Sequence, residues 1–226
     1  MKKNTIIFDL DGTLLNTLED LADSVNHVMA LHSFPLHSTD QVRQMVGNGI
    51  AVLIERAIPA GRSNPLFDTC LAEFQDYYRA HMQDKTAPFA GIRKLLSALR
   101  EQGYRLAVVS NKFDAAVKAL CRDYFGDLIP VAIGETATVA KKPAPDTVLE
   151  AMRQLNVSPE DCIYVGDSDV DIETAKNSGI PCISVTWGFR AEAFLWAHGA
   201  ACIVDEPGQI LTYVSALNST PETLSQ

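Results

Sequence analysis

Asp9 and Asp11 stand one residue apart at the end of an apolar run, in "IIFDLDGTLLNT" (Ile6 to Thr17). A carboxylate in that position is costly unless something pairs with it. Residues two apart in a strand face the same way, so the pair is expected on one side with Leu10 opposite. Three distant segments carry groups that can join them: Ser110-Asn111-Lys112, Lys141-Lys142-Pro143 and Gly166-Asp167-Ser168-Asp169-Val170-Asp171. Gathered in one place, Asp9, Asp11 and Asp167 repel one another and need a cation. Their donors are oxygens only, which suits a hard ion such as Mg²⁺ that keeps room for water and a phosphate oxygen. These segments contain neither histidine nor cysteine, so zinc does not fit them.

Such a set can move a phosphoryl group. Asp9 can attack phosphorus and form an aspartyl-phosphate. Asp11 can protonate the leaving alkoxide and then activate water. Gly12 allows a sharp turn that exposes backbone N–H groups, so Gly12 and Thr13 join Ser110 and Asn111 as candidate phosphate binders. A lysine of "KKP", with Lys142 preferred, can neutralise the phosphoryl oxygens and hold Asp9. Asp171 reads as a supporting residue of the site and Asp169 as an acid favourable at a helix start. Lys112 and Lys141 read as solvated.

Positioning these groups requires a sheet. "TIIFDL", "RLAVVS", "CIYVGD", "CISVT", "ACIVD" and, more weakly, "PVAIG" are apolar on both faces, as strands of a parallel sheet covered by helices on both sides are. Between them lie helical patterns, such as "GIRKLLSALREQGY" with Ile92, Leu95, Leu96 and Leu99 on one stripe. The alternation predicts an α/β, doubly wound, Rossmann-like core. In such sheets ligands bind beyond the carboxyl ends of the strands, where all four polar segments fall. From about Thr17 to Gln83 only helical patterns occur, broken by Pro35, Gly47-Gly49 and "PAGRSNP". Residues 16–83 are therefore expected to form a small helical domain inserted into a core of residues 1–15 and 84–226. The tail "NSTPETLSQ" is polar and expected to fray.

In that order, "DLDGTLLNT", "VVSNK", "AKKPAPD" and "YVGDSDVDIETAKNSG" resemble the four motifs of the haloacid dehalogenase-like hydrolases, over Ile6 to about Gly188. The resemblance implies Asp9 as nucleophile and Asp11 as general acid/base. It also implies Ser110 and Lys142 on the phosphate, Mg²⁺ on Asp9, the Asp11 carbonyl and Asp167, and Asp171 in support. Asp11 points to the phosphatase branch, since dehalogenase members lack an acid/base there. The helical insert resembles the family's C1-type cap. Within it, "VGNGIAVLIERAI" resembles the cap segment of phosphoglycolate phosphatases. That implies 2-phosphoglycolate as substrate, with Asn48, Gly49 and Arg56 toward its distal end. The same glycine pair also suits a plain helix-to-helix turn, and Arg56 also suits a solvated helix position. Other substrates for the same chemistry are pyrophosphate, a sugar phosphate, a nucleotide or a β-phosphoglucomutase-like reaction. A different class is a non-enzymatic phospho-acceptor signalling module, against which the insert and Asp11 both argue.

The bulk numbers narrow the partners. The 226 residues carry a formal net charge of -9 and no basic patch, so nucleic acid is excluded as a partner on electrostatic grounds. The first apolar stretch ends at Asp9, too early for a signal peptide, and no run is long enough to span a membrane. The chain reads as cytoplasmic, acting on a small phosphorylated metabolite as monomer or homodimer. Five cysteines without a CxxC read as small buried residues in a reducing compartment. His27, His32 and His37 read as ordinary surface or core residues.

Overall fold

In the computed structural model, which describes residues 2–219, the opening apolar run forms β1 (Thr5–Phe8) and a short β2 (Leu15–Asn16) follows. Four helices come next: α1 (Leu18–Leu31), α2 (Thr39–Met45), α3 (Ile50–Ala57) and α4 (Phe67–His81). After β3 (Ala87–Pro88) strand and helix alternate, as α5 (Ile92–Glu101), β4 (Arg105–Phe113), α6 (Asp114–Phe125), β5 (Val131–Glu135), α7 (Asp146–Leu155) and β6 (Cys162–Gly166). The described chain closes with α8 (Asp169–Asn177), β7 (Cys182–Val185), α9 (Glu192–Ala197), β8 (Ile203–Val204) and α10 (Pro207–Ser219).

Two compact units divide this chain. One holds the residues up to Leu14 and from Pro88 on, and contains a six-stranded sheet in the order β5-β4-β1-β6-β7-β8. Every pairing is parallel, with Phe8 opposite Val108 on one side and Val165 on the other. The strands are buried because helices cover them. Ile7, Ala107, Val109, Ile133, Cys162 and Tyr164 share one apolar cluster with Val148, Ala151 and Met152 of α7. The strand order reverses at β1, and the crevice expected at such a switch point lies beyond the strands' carboxyl ends. This is the α/β Rossmann-like architecture that the strand and helix alternation predicts.

The other unit, Leu15–Ala87, is helical. Its core includes Val25, Val28 and Met29 of α1, Leu53 and Ile54 of α3, and Phe74 and Tyr78 of α4. The unit runs four residues past the boundary expected at Gln83, for a tertiary reason. Asp20 of α1, 3% exposed, accepts from Lys85 N (2.9 Å), Thr86 N (2.8 Å) and Thr86 Oγ1 (2.7 Å). Ser38 starts α2 with a capping box closed by Gln41, an N-terminal signature of the usual kind.

At the far end of the chain, fraying is not what Asn218 does. Its side chain accepts from Lys3 N (2.6 Å) and donates to Lys3 O (2.7 Å), so α10 is tied to the segment before β1. The rest of the expected frayed tail, 220–226, lies outside the described residues.

Candidate active site

β1 ends at Phe8, one residue before the first aspartate, so Asp9 and Asp11 do not share a strand face as expected. Asp9 extends the ladder by one bond, donating its N–H to Val165 O (2.8 Å), and the chain then turns. The Leu10 carbonyl accepts from both Thr13 N and Leu14 N. The turn depends on Gly12, whose φ is +88°, and a side chain there would strike the Asp167 carboxylate. Glycine is therefore required twice, for its conformation and for close approach.

The polar segments meet at the carboxyl ends of β1, β4 and β6. Lys142 is their hub. Its ammonium, buried with the rest of the residue, lies 2.6 Å from Asp9 Oδ1, 2.8 Å from Asp171 Oδ1 and 3.1 Å from Tyr164 Oη. Burial alone would lower the Lys142 pKa, but Asp171 and Asp9 outweigh it and hold the ammonium above its ordinary value. Asp171 is 0% exposed. Oδ1 takes Lys142 and the Tyr164 hydroxyl (2.9 Å), while Oδ2 takes Ser168 N (3.1 Å) and Ser168 Oγ (2.6 Å). It thus caps α8 and anchors the lysine at once, combining the helix-start and site roles.

Asp167 is held by two contacts, one of them braced by a third. Thr13 Oγ1 lies 3.3 Å from its Oδ1, Phe189 N donates to its Oδ2 at 2.6 Å, and the Trp187 indole N–H holds the Thr13 carbonyl at 3.0 Å. Burial, then Asp171, pushes Asp167 up to about 7 despite these donors. Burial likewise raises Asp9 well above the carboxylate range, with Lys142 opposing. Asp9, Asp167 and Asp171 bring oxygens within 4.8 Å of one another. Three buried carboxylates with one lysine leave surplus negative charge, and their all-oxygen donor set fits a hard divalent cation.

Asp11 sits more openly beside β4. Ser110 Oγ lies 3.4 Å from its Oδ2, and the Lys112 ammonium lies 3.0 Å from its Oδ1. Lys112 is therefore not solvated: its side chain is 4% exposed, because β4 continues through Phe113 and carries the lysine inward. Two expected phosphate binders are committed to protein partners. The Asn111 carboxamide clasps the Lys142 backbone, accepting from its N–H (2.8 Å) and donating to its carbonyl (3.0 Å). Thr13 spends its hydroxyl on Asp167 and its N–H on Leu10 O. Sequence reading misses Tyr164, Ser168 and the Trp187–Phe189 segment. Tyr164 had a signal, since a hydroxyl in a buried strand needs a partner; the Phe189 contact is a main-chain one and had none.

Asn48, Gly49 and Arg56 lie in the helical unit. Gly47 (φ +125°) and Gly49 (φ +86°) turn the chain between α2 and α3. The Arg56 guanidinium donates to Met45 O (2.7 Å) and Asn48 Oδ1 (2.9 Å), so it braces this loop. Nearby, His27 stacks on Tyr77 and His37 Nε2 meets Ala57 O, both structural uses. All five cysteines are free, and burial pushes the thiols of Cys121 and Cys162 up to about 12. No helix among the described residues is long and apolar enough to cross a membrane.

Comparison with known proteins agrees with this architecture. The sequence pattern of the family described as "Haloacid dehalogenase-like hydrolase" matches residues 6–185. A phosphoglycolate phosphatase of Pseudomonas putida is 33% identical over 207 residues, covering 89% of this chain and 76% of that protein. One of Mesorhizobium japonicum is 35% identical over 193 residues, covering 84% and 85%. A solved protein from Lactobacillus delbrueckii subsp. bulgaricus superposes with a TM-score of 0.91 at 35% identity, covering 97% of this chain and 100% of that one. A family match across most of the chain, joined to an acidic, lysine-bridged rim at the switch point of a parallel sheet, leads to one conclusion: the chain belongs to the haloacid dehalogenase-like hydrolases, as a phosphoric monoester hydrolase of their phosphatase branch.

Proposed function

We propose that the chain is a Mg²⁺-dependent phosphatase acting through an aspartyl-phosphate on Asp9, with 2-phosphoglycolate as its substrate. The observation that carries this reading is the buried Lys142 bridge between Asp9 and Asp171. It aims a fixed cation at the oxygen of a carboxylate that burial, only partly opposed by Lys142, holds above its ordinary pKa. Asp9, Asp167 and the Asp11 carbonyl would hold the metal, which supplies positive charge against the substrate's phosphate and keeps the carboxylates ionised.

In the first half-reaction an Asp9 carboxylate oxygen bonds to phosphorus as the P–O bond to the leaving group breaks. Asp11 gives its proton to the departing alkoxide. In the second, Asp11 takes a proton from water, whose oxygen attacks phosphorus and frees Asp9. Ser110 and the Lys142 ammonium face the equatorial oxygens, where charge is spread in the transition state. Asn111 and Asp171 act by fixing Lys142, and Thr13 by fixing Asp167. The helical unit takes the part of the family's cap, with the Arg56-braced loop at Asn48 and Gly49 choosing the substrate. The names of the relatives support phosphoglycolate over pyrophosphate, sugar phosphates, nucleotides or a mutase reaction. Family membership argues against a signalling module that only accepts phosphate. Five free cysteines suit a reducing, cytoplasmic setting.

A panel of phosphorylated metabolites and p-nitrophenyl phosphate, assayed with Mg²⁺ or with EDTA, tests this reading. Turnover that needs Mg²⁺ and is lost in Asp9→Asn is expected, with the highest kcat/KM on 2-phosphoglycolate. Activity surviving in Asp9→Asn sinks the mechanism. Equal rates on many esters sink the substrate.

A further inference from the structure

His32, Cys70 and Glu73 meet inside the helical unit. Cys70 and Glu73 are three residues apart on α4, a spacing that puts both side chains on one helix face. His32 caps the C-terminus of α1, which packs against α4. The imidazole Nε2 lies 2.6 Å from Glu73 Oε2, and the donor atoms of all three residues fall within 4.8 Å of one another. Two ligands at i and i+3 on one helix, completed from a facing helix, is how metal sites are built in helical bundles. Among the described residues one other group of possible metal ligands comes together, the all-aspartate cluster of the active site, so this group alone contains sulfur.

We propose that His32, Cys70 and Glu73 form a second metal site, for a zinc-type divalent cation, that joins α1 to α4. Thiolate, imidazole and carboxylate select zinc over Mg²⁺. A tetrahedral zinc ion needs its ligand atoms about 3.3–3.8 Å apart, given bonds of about 2.0–2.3 Å. The His32–Glu73 pair, 2.6 Å apart, opens by about 1 Å to admit it. The side chains differ in the way such a site requires. Cys70 is 0% exposed, while His32 and Glu73 are 16% and 34% exposed, which gives the ion a route in and leaves a fourth position for water. Burial and the neighbouring Glu73 raise the free thiol's pKa, keeping it protonated until a cation replaces that proton. Cys70⁻ and Glu73⁻ together balance the ion's charge. Sequence reading assigns His32 and Cys70 ordinary roles because the helix-pair contact that joins them is invisible in it.

This site is independent of the phosphatase reading, and so is its test. The full-length protein, its thiols reduced with a phosphine, is titrated with Co²⁺ in excess Mg²⁺, which occupies all-oxygen sites. A thiolate-to-cobalt charge-transfer band saturating at one ion per chain is expected, competed away by Zn²⁺. Cys70→Ala should abolish the band. Glu73→Gln, at a half-exposed position that tolerates change, should weaken binding by at least the roughly tenfold that loss of an outer-shell partner causes. Zn²⁺ should raise the melting temperature of the wild type but not of Cys70→Ala. Absence of a thiolate band in the wild type overturns the proposal, as does a band that persists in folded Cys70→Ala, or Co²⁺ affinity unchanged in Glu73→Gln.

Discussion

Lys142 and Asp9 form one contact with opposite meanings for the folded state. Removing the lysine strands two buried carboxylates, whereas removing the Asp9 charge relieves a crowded cluster. Lys142→Ala is expected to destabilise the protein by about 3–5 kcal/mol, the usual result of breaking a buried ion pair from one side. Asp9→Asn should leave stability unchanged or increase it, although both variants lose turnover. Urea midpoints decide the point: equal destabilisation by the two changes contradicts this charge balance. Lys112, buried beside Asp11, carries a second expectation. Lys112→Met should reduce kcat more for an alkyl phosphate than for p-nitrophenyl phosphate, whose leaving group departs without a proton; an equal loss on both would remove Asp11 from its path. Much at this scale was legible in the sequence. Carboxylates at strand ends are too costly to be accidental, which singles out Asp9, Asp11 and Asp167. The partners of Thr13 and Asn111 were not legible, because a short polar side chain serves equally well facing a ligand or a neighbour.

At the scale of elements, all six strands of the sheet were legible as short, mostly apolar segments between helical patterns. β2 and β3 have two residues each and α9 has six, too short for any periodicity to register. The end of the helical unit was misread for another reason. Its boundary is set by Asp20 reaching residues 85 and 86, a long-range bond with no local signal. Asp20→Ala should destabilise that unit by about 3 kcal/mol or more, since a buried carboxylate leaves several donors unmatched. Both tryptophans, Trp187 and Trp196, lie in the sheet-containing unit. Helical circular dichroism should therefore fall at lower urea than tryptophan fluorescence in this variant, and coincident transitions would refute a local effect.

At the scale of the whole molecule, a net charge of -9 gives an anionic substrate no general attraction, so local positive charge at the rim, from Lys142 and from the proposed Mg²⁺, must supply it. The same rim sets how stability follows pH. Asp167 titrates near 7 in the folded chain, above its ordinary 3.8. Between those values the folded state binds a proton that the unfolded chain has released. Stability from this group is thus full below about pH 4 and falls as pH rises toward 7, at up to about 1.4 kcal/mol per unit. Asp9, raised by burial, acts in the same direction. In EDTA the melting temperature should drop from pH 5 to pH 8, and Mg²⁺ should raise it more at pH 8, where it meets ionised carboxylates. A Mg²⁺ effect equal at both values would show that these groups are not its ligands. The central place of β1 has a consequence in time. Ile6 finds its sheet partners at Leu106 and Ile163, so during synthesis the first strand waits, unpaired, until β4 has emerged, and is flanked on both sides only after β6. The helical unit is one continuous segment, Leu15–Ala87, and its contacts are far more local. Local contacts form fast and distant parallel pairings slowly, so the insert should be folded while the strand before it is still searching. Pulse-labelled hydrogen exchange during refolding would register this as protection in α1 and α4 ahead of β1.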